Sequence, residues 1–213
     1  MFQFVTRFGR VLVLVGATVT APPLGAQVPA TSPSSTPDEG VPRWRIDVAH
    51  SELTFRIRHL VSRVSGTFLE WGGTVVAHPS RLDQGSVEVT IQAASINTRN
   101  ERRDDDLRSE RFFDAANHSE IRFRSTGVEE HEGVLRVSGE LTIRGITRPV
   151  VLEGEYTGIT GSPGQRRMGF NATTKVDRND FRVSWNRAVE GGGLLLGDEV
   201  EIQIFIEAVE TGA

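Results

Sequence analysis

The sequence predicts an all-β domain closed into an eight-stranded antiparallel barrel, with one short helical insertion around residues 100–113. Three observations predict it. Apolar and polar residues alternate with period two in roughly eight long runs, and alternate residues of a strand point to opposite faces. Glycine-bearing turns join neighbouring runs. Strands with one apolar face expose adhesive edges in an open sheet, and closure removes those edges.

The folded domain is expected over residues 43–210, opening with a strand at residues 44–47. Leu53, Phe55 and Ile57 then alternate with Thr54, Arg56 and Arg58. Residues 66–71 form the next run, broken by Gly72-Gly73 before residues 74–76. Val87, Val89, Ile91 and Ala93 alternate with Glu88, Thr90 and Gln92, and Ile121, Phe123 and Ser125 with Arg122 and Arg124. Leu135, Val137, Gly139, Leu141 and Ile143 lead into Arg144-Gly145, a two-residue hairpin turn whose glycine accepts positive φ, and Val150, Leu152, Gly154 and Tyr156 return from it. Met168, Phe170, Ala172, Thr174 and Val176 make the penultimate run, and Val200, Ile202, Ile204, Ile206 and Ala208 the last. No repeat of the length that marks a propeller or solenoid is present. The helical insertion begins at Asn100, a capping residue. Asp104, Asp105 and Asp106 lie early in it, where the helix dipole favours negative charge. Phe112-Phe113 reads as a plug that packs this segment onto the barrel.

Composition narrows the function classes. The chain has 213 residues, enough for one sizeable domain, and no cysteine, which excludes a disulfide framework, a thiol nucleophile and a Cys-based metal site. Net charge is −4, which argues against a nucleic-acid partner. Residues 1–26 read as a secretory signal: Arg7 and Arg10, a short apolar run over residues 11–19, then Leu24-Gly25-Ala26, with cleavage expected after Ala26 and a periplasmic or secreted product. The run is well short of the ~20 apolar residues that span a bilayer. Gln27 stands where a lipoprotein box needs its lipidated cysteine. Residues 27–42 are rich in Pro, Ser and Thr and are expected to be a disordered linker.

Chemistry-bearing residues are sparse. Asp47, His50 and Ser51 invite a triad reading, but no nucleophile-elbow pattern accompanies them, and the better reading is a turn tied by Asp47 and Ser51. The five histidines are scattered at 50, 59, 78, 118 and 131, so a metal site using His50 and His59 would need assembly from separate strands, and none is expected. Arg102-Arg103-Asp104-Asp105-Asp106 reads as a solvated helix face with local ion pairs. An eight-stranded barrel is either filled by side chains or holds one small ligand. The small inward residues Ala93, Ser125, Gly139, Gly154 and Ala172 favour a cavity.

Several ordered motifs resemble the YceI-like family of polyisoprenoid-binding, lipocalin-like bacterial proteins. They are Trp44-x-x-Asp47-x-x-His50-Ser51, Phe55-x-x-x-His59, Ala94-Ser95-Ile96-Asn97-Thr98, Phe112-Phe113-Asp114, Arg178-x-x-Phe181 and, above all, the hairpin from Gly139 to Val150. The resemblance covers about residues 44–210. It departs from the family at Asp106, His118-Ser119, Arg182 and the loop Gly191–Leu196. It implies an apolar tunnel in an exported barrel, in some relatives occupied by an isoprenoid chain such as that of a quinone, and often a homodimer. On inward parity the expected ligand-binding residues are Phe55, Ile57, Phe68, Val89, Ile91, Phe123, Leu141, Phe170 and Ile204. Arg148 is added as a polar anchor for a lipid head group, because pairing through Arg144-Gly145 puts it on the inner parity. The expected function is non-enzymatic binding, storage or transport of a long-chain lipid, without cofactor. The alternatives are a lipid-modifying or hydrolytic enzyme using His50 or His59, and an outer-membrane barrel. Few aromatics and a non-aromatic C-terminus argue against the second.

Overall fold

The computed structural model describes residues 40–212; the expected signal at 1–26 and the linker up to residue 39 lie outside them. Eleven strand segments build one antiparallel sheet that closes on itself. They are β1 (Arg43–Ile46), β2 (Glu52–His59), β3 (Ser62–Phe68), β4 (Trp71–His78), β5 (Arg81–Gln92), β6 (Ile96–Asn97), β7 (Glu120–His131), β8 (Val134–Ile143), β9 (Ile146–Thr160), β10 (Arg167–Asp177) and β11 (Leu196–Gly212). The one α-helix, α1, spans Glu101–Arg108.

The barrel nevertheless has eight staves, because three are interrupted. β1 and β2 form one stave: β11 pairs with β1 through Trp44↔Glu210 and with β2 through Phe55↔Ile202. β3 and β4 form the second, and β5 and β6 the third, with Val75↔Val87 joining β4 to β5 and Phe68↔Ile96 joining β3 to β6. The remaining five run as a meander from β7 to β11, and the β1–β11 pairing closes the circle. Two details differ from the sequence expectation. β4 runs through Gly72-Gly73, and its stave breaks instead at Leu69-Glu70, whose amide and carbonyl bond to Ser95 O and Gln92 N. Ala93 leaves the strand for a 3-10 turn over Ala93–Ser95.

The hairpin turn falls where expected. Ile143 pairs with Ile146, and Arg144 and Gly145 carry φ of 51° and 70°, the twin positive values that match strand twist across a two-residue turn. The inner face is apolar along every stave. At one end, where β4 turns to β5 and β7 to β8, Trp44, Met168 and Ala208 are fully buried with Ala77, Leu82 and Leu135. Trp44 Nε1 donates to Ala77 O at 2.9 Å, which satisfies the one polar atom the indole brings inside. Small inward residues do not all leave space. A Cβ at Gly139 would lie 2.5 Å from the Phe123 ring, so that ring already fills its place, as the Phe55 ring fills the place opposite it at Gly66.

The outer face is charged. Glu88–Arg124, Arg136–Glu153 and Lys175–Glu199 pair across adjacent staves, and Arg63–Glu201 reaches over β2 from β3 to β11. The apolar parity therefore looks inward, the reverse of the lipid-facing band of an outer-membrane barrel. Among the described residues no helix is long and apolar enough to cross a membrane.

Candidate functional site

The barrel encloses a cavity of about 470 Å³, lined almost wholly by apolar side chains. The Trp44 cluster closes it at one end. At the other, its lining includes partly exposed His59, Asp106, Leu195 and Leu196, so this end carries the mouth. α1 and the segment after it lie over that mouth. Asn100 caps α1 by accepting from Arg103 N at 3.1 Å, which sets the helix phase so that Arg103, Asp106 and Leu107 share the cavity-facing side at i, i+3, i+4 spacing. Phe112 is buried against Trp185 with ring centroids 5.4 Å apart, and Phe113 meets Phe68 edge-on at 5.9 Å, so the aromatic pair does plug the barrel end.

Nine of the ten expected ligand contacts line the cavity: Phe55, Ile57, Phe68, Val89, Ile91, Phe123, Leu141, Phe170 and Ile204. Arg148 does not. It pairs with inward Leu141, yet its side chain is exposed and donates to Thr147 O at 3.1 Å. The reason lies in the neighbouring stave. β9 pairs with β10 only as far as Glu153↔Thr173, and beyond that pair the two strands part. Arg148 lies along this seam beside Pro149, Lys175, Asp177 and Asp180, where its charge stays hydrated. An unpaired guanidinium turned into a dry cavity would pay its full desolvation cost.

Polar groups gather at the mouth, and the sequence reading missed most of them. Thr98 and Asp104 are buried there; the Asp104 carboxylate accepts from Thr98 N at 2.9 Å and from its hydroxyl, and Arg103 Nε donates to Thr98 Oγ1 at 2.7 Å. The run 102–106 is thus only partly a solvated face: Asp104 holds the helix down. Arg178, 5% exposed, also borders the cavity. Its Nε donates to Gly197 O at 2.8 Å, and its terminal nitrogens reach Val183 O, Trp185 O and Asp198. Burial pushes its pKa down, with Asp198 and Asp177 opposing. It fastens the segment before β11 to the barrel. Beyond Asn100 and Phe112-Phe113, the helical spacing of Arg103, Asp106 and Leu107 was a further signal for this cap. Arg178 stood in the Arg178-x-x-Phe181 motif of the family resemblance, but nothing local announces its role, because its partners come from beyond residue 182.

The Asp47–His50–Ser51 group is a turn. His50 N donates to Asp47 O at 3.0 Å, and Ser51 Oγ is engaged with the Glu207 backbone, accepting from its N at 2.9 Å. Asp47, His50 and Glu207 bring one ligand-type atom each within 4.8 Å of one another. The Arg167 guanidinium already donates to both carboxylates and holds the Asp47 carboxyl below its ordinary range, so the positive charge a metal would bring is present. His59 lies apart from this turn, at the mouth.

The YceI-like domain family model matches residues 44–208. The chain belongs to the YceI-like family. Curated relatives agree. It is 35% identical over 167 residues to the UPF0312 protein SA2479 of Staphylococcus aureus, covering 77% of this chain and 95% of that one. It is 32% identical over 168 residues to the UPF0312 protein SERP2314 of Staphylococcus epidermidis, covering 78% and 96%. Among solved structures, the Campylobacter jejuni YCEI protein superposes with a TM-score of 0.63 at 30% identity, covering 73% of this chain and 91% of that one. Two more distant structures share the fold. Burkholderia cenocepacia BcnA has a TM-score of 0.66 at 21% identity, covering 76% and 98%. A polyisoprenoid binding domain from Saccharophagus degradans has a TM-score of 0.59 at 12% identity, covering 78% and 98%.

Proposed function

We propose that this YceI-like chain is a non-enzymatic carrier or reservoir for a long-chain amphiphilic lipid, a polyisoprenoid or isoprenoid quinone, working in the periplasm after removal of residues 1–26. The observation that carries this reading is the cavity itself: about 470 Å³, almost wholly apolar, closed at the Trp44 end, with its charged liners Arg103, Asp106 and Arg178 gathered at the mouth. That distribution suits a molecule with a long apolar tail and a small polar head. The polyisoprenoid binding named for the Saccharophagus degradans structure supports the same class of ligand. A tail that buries several hundred Å² gains roughly 10 kcal/mol at ~25 cal/mol/Å². Association costs about 4–15 kcal/mol, so affinity should be moderate and rise with tail length. No step of such binding needs a nucleophile or a metal.

The test is to purify the protein from its native compartment, extract it and analyse the extract by mass spectrometry. Uptake of a fluorescent long-chain polyprenol by the stripped protein is measured alongside. A co-purified long-chain lipid and saturable uptake are expected. No lipid and no uptake would end the proposal.

A further inference from the structure

Among the described residues eight large hydrophobic side chains are exposed, and three of them stand at one place. Leu60 (41% exposed) and Val61 (105%) form the tip between β2 and β3, and Leu194 (45%) lies just before β11. The two segments are joined: Leu60 N donates to Leu195 O at 2.9 Å, and His59 pairs with Leu196. His59, Leu195 and Leu196 line the cavity, so the exposed patch is the outer continuation of the mouth.

The tip is built against local preference. Leu60 holds φ of 52°, a left-handed conformation that asparagine or glycine adopts at far lower cost in a two-residue turn. A strained Leu60 beside a fully exposed Val61 adds little to the barrel's own packing. The surrounding charge is also informative. Arg58 donates to Leu60 O at 3.3 Å, and Arg187 lies opposite Leu195, whose N donates to Arg187 O at 2.9 Å. Neither guanidinium has a carboxylate within 4.0 Å among the described residues. Glu190 is the one acid in the loop between them.

Resting on the lipid-carrier reading above, we propose that the mouth is a membrane-docking surface. Leu60, Val61 and Leu194 enter the interfacial zone of an anionic bilayer, and Arg58 and Arg187 face lipid phosphates. The occupant is a bilayer because the patch rims the cavity that the ligand must enter. A long apolar chain that passes directly from bilayer to cavity never exposes its surface to water, which removes the largest barrier to loading. Three side chains and two cations give weak, reversible binding, as a shuttle needs.

The experiment uses the mature protein and vesicles of phosphatidylcholine, alone or with about one-third phosphatidylglycerol. Sedimentation reads docking. Uptake of a pyrene-labelled polyprenol is timed from vesicles and, separately, after dilution from ethanol. The wild type should pellet more with the anionic vesicles, and Arg58→Gln/Arg187→Gln should lose that gain. Leu60→Ser/Val61→Ser/Leu194→Ser should take up probe from ethanol as the wild type does, but from vesicles on the order of tenfold more slowly or worse. Val61→Asp, at a fully exposed position that leaves folding intact, should act in the same direction, and Phe205→Ser on the outer wall should change nothing. A wild type that stays in the supernatant, or a triple variant that loads from vesicles at the wild-type rate, overturns docking. Loss of uptake from ethanol by the wild type overturns the cavity reading instead, and sedimentation still decides the docking surface.

Discussion

Filling the cavity should weaken ligand binding without weakening the fold. Ala172 is the position to change. It lines the cavity at mid-height, paired between Ile204 of β11 and Gly154 of β9. Ala172→Phe adds a six-carbon ring, about the bulk of one isoprene unit, to the space the tail is proposed to occupy. Each buried methylene contributes about 0.8 kcal/mol, so displacing five carbons removes up to about 4 kcal/mol. Partial rearrangement of the tail lowers that to about 2–4 kcal/mol, a 30- to 1,000-fold loss of affinity. The assay is fluorescence titration with prenols of increasing length: affinity should climb with length in the wild type and level off early in the variant. Thermal unfolding of the ligand-free proteins supplies the second arm. If the cavity is open space, the added ring meets no neighbour and stability holds or rises. If the barrel centre is close-packed, the same change overpacks it and costs about 1–3 kcal/mol. A variant that binds long prenols as the wild type does, or one clearly destabilised when empty, would refute the reasoning.

Other expectations follow from single contacts. The Glu210 carboxyl is held down to about 2 from its ordinary 4.5, chiefly by the Arg166 guanidinium and also by Gly164 N. A depressed carboxylate adds stability that is complete above the unfolded value and is lost as pH falls through the folded one. Wild-type stability measured by urea unfolding should therefore decline between pH about 4.5 and about 2, and Glu210→Gln should flatten that decline while lowering stability near neutrality. Trp44→Phe removes the indole donor and strands Ala77 O at the closed end, so denaturation should show a loss of about 1–3 kcal/mol. Gly139→Ala drives a Cβ to 2.5 Å from the Phe123 ring and should destabilise by about 1–3 kcal/mol by the same measurement. His50→Ala at an exposed turn should leave polyprenol uptake unchanged; a lost hydrolytic activity in that variant would instead revive an enzymatic role.

The barrel was legible because its signal is local. Period-two alternation needs only neighbouring residues, and Arg144-Gly145 marked its turn from two positions. Nine of the liners could be named because parity alone assigns a side to each strand residue. Where the reading failed, a partner far along the chain decided the outcome. Arg148 has inward parity by pairing with β8, but the parting of β9 from β10 after Thr173 leaves it at an open seam, and no residue near 148 announces that. Asp104 looked solvated within its charge run. Its burial depends on Thr98 and on the helix lying across the mouth. Of the small inward residues, Gly154 and Ala172 do line the cavity, but Gly139 leaves no space, because that depends on where the Phe123 ring goes.

The two ends of the barrel divide the work between stability and exchange. At the closed end the largest fully buried side chain, Trp44, spends its one donor on Ala77 O, and nearby Arg166, held by Glu210, covers its ring at 5.4 Å. Such an end has no low-cost way to open. At the mouth the closure is layered differently: short α1 is secured by Thr98–Asp104, and the segment before β11 by Arg178, each through a few hydrogen bonds to backbone or a neighbouring side chain. Breaking one such set frees a segment without touching the staves, because no sheet pairing depends on it. On the proposed carrier reading, a long chain would enter at the mouth, with Leu60, Val61 and Leu194 standing where that route meets solvent. A tail-first ligand would reach Trp44 with its apolar terminus and leave its head among His59, Arg103 and Asp106, where polar partners are available. The opposite orientation would bury a polar head against the Trp44 cluster, whose indole donor is already taken and where, among the described residues, only the buried Tyr156 hydroxyl is left without a partner. The charged groups that could hold a head gather at the mouth, outside the strands' own alternation, which is why a binding motif is hard to find in the strands themselves.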